Sequence, residues 1–281
     1  MKTLSSVSLR ACLLCVASLL ALPAFSQTTT PGGQAVQKDS EVAKKWSVYW
    51  GWNRTTYSDG DIHFSGKDHD FTLRSVRAND MATAAGWDGI SRFYLNPGAI
   101  TIPQTNVRVG YQWDTDTAIA LNLDHMKYVM TQNQTVVIDG QINGVTQSGA
   151  KILTTDFLTF EHTDGLNVLS IELEKQRPLD WFGPSHRAKG FVLAGVGVVI
   201  PKSNVALGML GRSRNDEFHF AGYSAGIGAG LEVDVWKDVF FRTAYKTGYV
   251  NLPDVLTSAE GDKASHHFTY NELLIAVGMR F

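Results

Sequence analysis

"LLIAVGMRF", Leu273 to Phe281, ends the sequence on an alternating apolar run. Leu273, Ile275, Val277, Met279 and Phe281 share one parity. Glu272, Ala276, Gly278 and Arg280 take the other, with Leu274 as the exception. Successive strand side chains point to opposite faces, so one face is wholly apolar and the other is small or charged. Chain ends in water fray, and an apolar face closing on a bare phenylalanine calls for a solvent other than water.

Upstream segments repeat the pattern. "WSVYWGWNRTTY" sets Trp46, Val48, Trp50 and Trp52 against Ser47, Tyr49, Gly51, Asn53 and Thr55. "TNVRVGYQW" sets Val107, Val109, Tyr111 and Trp113 against Asn106, Arg108, Gly110 and Gln112. "AIALNLDHMKYVM" opposes Ile119, Leu121 and Leu123 to Ala120, Asn122, Asp124 and Met126, and "LNVLSIELEK" opposes Leu169, Ile171 and Leu173 to Ser170, Glu172 and Glu174. "GFVLAGVGVVIP" is apolar or Gly on both parities, which leaves its register open. "FAGYSAGIGAGLEVDVW" alternates from Tyr223 to Val235 against Gly222 to Asp234, and "VFFRTAYKTGYV" places Phe241, Tyr245 and Tyr249 against Arg242 and Lys246.

With the C-terminal run these make eight strands. Their connections alternate between short turns and long polar stretches at residues 58–104, 131–164, 202–218 and 251–266. Short turns on one side and long loops on the other is the pattern of an antiparallel transmembrane up-and-down β-barrel. Sheet edges cannot stand open in hydrocarbon, so the sheet must close. A soluble barrel also alternates, but it keeps its apolar parity inside and has no use for an interfacial girdle. Here Trp46, Trp113, Trp236, Phe241 and Phe281 all lie near the short-turn ends, as such a girdle would.

The other terminus agrees. Lys2 and Arg10 precede an apolar stretch from Ala11 to Leu22 and a small-residue site before Gln27. This reads as a secretory signal peptide over 1–26, too short to span a bilayer. Both cysteines fall inside it, so the mature chain has neither disulfides nor thiol chemistry. Residues 27–45 read as a flexible periplasmic lead-in and 46–281 as the barrel. A net charge of −2 leaves no nucleic-acid footprint.

"LLIAVGMRF" resembles the C-terminal signature of bacterial outer-membrane barrels, and the mature chain is similar in pattern to the small eight-stranded families. The resemblance implies that Ile275, Val277, Met279 and Phe281 form the signal read by the barrel-assembly machinery. It implies outer-membrane lipids and lipopolysaccharide as surroundings, and a monomer.

Eight strands leave an interior that side chains fill. The inward parity carries Arg108, Asp124, Glu172, Glu174, Glu232, Asp234, Arg242, Lys246, Glu272 and Arg280. Buried charges persist when paired, so a salt-bridge network plugging the lumen is expected, in preference to a narrow channel for small solutes. "FEHTDGLNVLS" loosely resembles the His-x-Ser stretch of outer-membrane phospholipase A and of lipid A deacylases. His162 would be the base, but Asp164 stands where the serine belongs, and Ser170 lies far along the strand. The reading therefore favours a non-enzymatic structural, surface-interaction or ligand-binding role without a cofactor, with the lipid hydrolase as the alternative. Asp59, Asp61, His63, Asp68, His69 and Asp70 in the first long connection, with His219 and His266, could ligate a divalent ion but match no defined spacing. A hairpin standing above the membrane, with "DFTLRSVRA" as one strand, is the simpler reading of that connection.

Overall fold

The computed structural model describes residues 44–83, 86–94, 96, 103–179 and 187–281. The signal segment and nearly all of the lead-in lie outside them. In chain order the strands are β1 (Trp46–Tyr57), β2 (Gly60–Ser65), β3 (His69–Val76), β4 (Ala78–Asn79), β5 (Thr105–Gln112), β6 (Thr117–Met130) and β7 (Thr135–Ile142). They continue as β8 (Val145–Ile152), β9 (Thr159–Pro178), β10 (Ala188–Ala206), β11 (Asn215–Phe218), β12 (Gly222–Trp236), β13 (Val239–Leu256) and β14 (Lys263–Arg280).

Eight of them close a ring in the order β1-β5-β6-β9-β10-β12-β13-β14, with β14 returning to β1. Every neighbour pair in the ring is antiparallel. Trp46 and Phe281 bond reciprocally at the seam, N to O at 3.1 Å and 2.9 Å. Closure leaves the membrane segment with no edge, which hydrocarbon requires.

The outward face through the middle of the ring is apolar and exposed: Leu121, Ile171, Val196, Leu231, Tyr245, Leu273 and Val277 all belong to it. Trp46, Trp113, Trp236 and Phe281 are exposed at its short-turn rim, and Tyr223 and Phe220 at the other. The stretch from Leu273 to Phe281, tilted ~40°, covers ~20 Å, close to the ~25 Å apolar band of an outer-membrane barrel. The open register of β10 is settled by Phe191, Leu193 and Val199, which are buried, while Val192, Val196 and Val198 face out.

The long polar connections contain much strand. β9, β10, β13 and β14 run to 20, 19, 18 and 18 residues, well past the apolar belt. Their alternation inverts where water replaces lipid. On β14 the outward residues His267, Thr269 and Asn271 are exposed and polar, while Phe268 and Tyr270 are buried. A polar exterior read as loop is thus the wetted face of a continuing wall.

Beyond the ring, β2 pairs with the top of β14, β3 with β2, β7 with β3 and β8 with β7. "DFTLRSVRA" falls largely within β3, so the first connection does form a hairpin. The β7–β8 hairpin turns at Asn143 and Gly144, both with positive φ (51° and 73°), as a two-residue primed turn needs. These strands fold over a core that includes Ile62, Phe64, Phe71, Leu73, Met126 and Tyr128. We refer to this region as the cap.

Candidate functional site

The interior below the cap is charged. Arg108 donates to Glu172 (3.1 Å) and Glu174 (2.9 Å). Arg242 bonds Glu174 and Glu232, the latter at 3.1 Å, and its guanidinium lies 3.5 Å from the Phe191 ring centre. Arg280 bonds Glu232 and Asp234, the latter at 2.7 Å. Lys246 reaches Asp124 (3.1 Å) and Glu172 (3.0 Å). Donors and acceptors come from β5, β6, β9, β12, β13 and β14, so the pairs tie opposite walls together. Glu272 is fully buried beside Lys246 and Asp124.

Glycine on the inward parity of β12 makes room for these long side chains. A Cβ on Gly230 would collide with the Thr243 carbonyl and the Phe191 ring. Two small cavities open between these side chains. One cavity of about 20 Å³ lies among Asp124, Ser170, Glu172, Ser224, Lys246 and Tyr270. Another of about 20 Å³ sits at the short-turn mouth among Lys44, Arg108, Gln176 and Arg280. Each holds about one water.

The catalytic alternative fares differently from its sequence reading. Asp164 faces outward and accepts from Lys202 at 3.1 Å. Ser170 lies in the lumen with its hydroxyl 3.5 Å from the Asn122 carbonyl, away from His162. Asp164 and Gly165 lie inside β9, so the chain runs through this stretch as strand. A hydroxyl does meet His162, but from another strand: Ser203 Oγ is 2.9 Å from His162 Nδ1. Ser203 sits in a bulge of β10 between Pro201 and Asn204. His162 Nε2 lies 3.4 Å from His266 Nε2. Serine, histidine and a third polar group thus form a chain, yet Ser203 and His162 are 0% exposed and His266 3%. Tyr128, Phe160 and Phe268 pack around the pair. Burial holds His162 well below the usual histidine range and His266 down to about 3. Both imidazoles are neutral, in a pocket that admits no substrate.

The metal candidates do not gather. His63 pairs with Asp70 (2.9 Å), and Asp61 accepts from Arg74 (2.8 Å) on the outer hairpin. His69 is buried nearer Arg212 and Asp262, and Asp68 accepts from Arg212 at 2.9 Å. His219 Nε2 accepts from the Leu256 amide (3.0 Å). Among the described residues no three His, Cys, Asp or Glu side chains converge on a common point.

Ile275, Val277 and Met279 are exposed on the outward face of β14, and Phe281 is exposed just past its end. Sequence reasoning missed Ser203, whose partner is 41 residues away across a bulge, and nothing local marks it. It also missed the β7–β8 hairpin, although "TVVIDGQI" and "VTQSGAKI" flank Asn143-Gly144, a strong hairpin signal.

No protein-family model and no curated protein matches the chain. Among solved structures, it is similar to Neisserial surface protein A at 13% identity, covering 84% of this chain and 97% of that one, with a TM-score of 0.37. It is similar to Ail of Yersinia pestis (12%, 85% and 99%, TM-score 0.34) and to OprG of Pseudomonas aeruginosa (11%, 85% and 96%, TM-score 0.39). No function is carried over from likenesses of this level. The closed ring and its girdled apolar belt are themselves those of a bacterial outer-membrane β-barrel, and the outer membrane is where the protein resides.

Proposed function

We propose that this barrel acts above the membrane, as a surface-interaction platform, with its lumen closed to solutes. One observation carries the reading: the wall continues from β14 through β2, β3 and β7 to β8, whose far edge has no partner among the described residues. β8 is open on both faces, with Val145 and Ile152 exposed. An unpaired edge strand on a packed sheet offers main-chain donors and acceptors to another extended segment. The charged network and the cap core support a closed lumen. Lipid and lipopolysaccharide surround the belt, the assembly machinery reads β14, and the chain works as a monomer.

The test compares the full barrel with one whose residues 134–152 are replaced by a short Gly-Ser turn, both in nanodiscs. Binding to arrayed surface proteins and glycans that disappears in the trimmed barrel supports the platform. Porin-like solute uptake into proteoliposomes, with no hairpin-dependent binding, contradicts it. The hydrolase reading has one contact in its favour, Ser203 to His162. Lipid mass spectrometry of membranes with the wild-type protein and with His162→Ala decides it.

A further inference from the structure

We infer that the cap is acid-labile: the His162–His266 contact latches opposite walls of the barrel together while both rings are neutral, and proton uptake releases it. β9 and β14 stand four places apart in the eight-stranded ring, so the two imidazoles meet across the barrel axis. Their ring centres are 5.6 Å apart with Nε2 facing Nε2 at 3.4 Å. One neutral ring donates to the other in that arrangement. Two protonated rings present donors to each other and repel.

The surroundings supply no counter-charge. From β6 the pair meets Tyr128, from β9 Phe160, from β10 the Ser203 hydroxyl and from β14 Phe268. The strands directly opposite His266 contribute Leu252 from β13 and Ile62 from β2. Among the described residues, the further groups that act electrostatically on the pair are the imidazoles of His219 and His267, which carry the same sign when charged. The nearby carboxylates Glu161 and Asp164 pair with Arg214 and Lys202 instead.

Burial lowers both histidines relative to an open chain, where imidazole titrates near ~6.5. The closed cap therefore binds fewer protons than the open one. Its stability is full above pH ~6.5 and falls as the pH drops below that value. Between pH 7.5 and 5.0 each histidine favours opening by about 30-fold, and the two together by about 10³-fold. The two histidines lie among the cap core residues Tyr128, Phe160 and Phe268, above the charged lumen pairs, and the membrane belt is expected to stay shut while the cap opens.

Hydrogen exchange in nanodiscs, corrected for intrinsic rates, reads this directly. From pH 7.5 to 5.0, residues 159–166 and 263–268 are expected to gain 10²- to 10³-fold in opening, while residues 169–175 and 273–280 hold their protection. His162→Gln with His266→Gln reduces the change to a few-fold, and the exposed His63→Gln leaves it intact. If the double variant fails to fold, histidine ¹⁵N shifts of the wild type decide. Both rings should be neutral at pH 7.5 and lose that signature together with cap protection. Opening that does not depend on pH, or rings that become charged while cap amides stay protected, overturns the inference.

Discussion

Replacing Arg242 with Met probes what holds the lumen together. Arg242 is 1% exposed and donates to Glu174 and to Glu232 at 3.1 Å, with its guanidinium stacked 3.5 Å from the Phe191 centre. Each charged hydrogen bond is worth about 1.5–3 kcal/mol. A desolvated cation–π contact adds about 2 kcal/mol. The loss is tempered because Glu174 keeps Arg108 at 2.9 Å and Glu232 keeps Arg280. Met fills much of the vacated volume, so the main penalty is a pair of under-compensated buried carboxylates, for a net cost of about 3–5 kcal/mol. Urea unfolding from lipid vesicles, followed by tryptophan emission and by the gel shift of the folded barrel, measures it. Adding Glu174→Gln to the variant should recover about 1–2 kcal/mol, because one of the stranded charges is removed. A cost below 1 kcal/mol, or a double variant equal to the sum of its singles, would refute the reasoning.

Three further perturbations separate belt, lumen and seam. Gly230→Ala forces a methyl against the Thr243 carbonyl and the Phe191 ring, and the same unfolding assay should show a loss of about 1–3 kcal/mol. Ile171→Arg puts a charge on the exposed mid-belt and should cost about 2–4 kcal/mol, whereas Thr269→Arg, outward above the belt, should cost under about 1 kcal/mol. Equal costs would remove the lipid belt. Deleting Phe281 should lower the amount of barrel reaching the outer membrane several-fold while refolding in detergent proceeds; an unchanged cellular yield ends the assembly-signal role.

The ring was legible because lipid and lumen impose opposite chemistry on alternate residues. Leu169, Ile171 and Leu173 against Ser170, Glu172 and Glu174 need only period two to be read. Legibility failed where the outer solvent changes. Above the belt, His267 and Thr269 face water, and the same strand resembles a polar loop. β10 was ambiguous because glycine and valine occupy both parities, and only its neighbours β9 and β12 fix which valine meets lipid. The Ser203–His162–His266 chain was out of reach for a different reason. It joins three strands through a bulge and a contact across the barrel, and a single sequence holds no record of either.

The closed lumen is the claim on which the platform reading depends most, and single-channel recording of the purified barrel in planar bilayers tests it directly. With paired charges in the lumen, a packed cap above and cavities of about 20 Å³ between, the trace at neutral pH should stay at baseline. Stable, large and reproducible openings of the wild-type protein at that pH would contradict it.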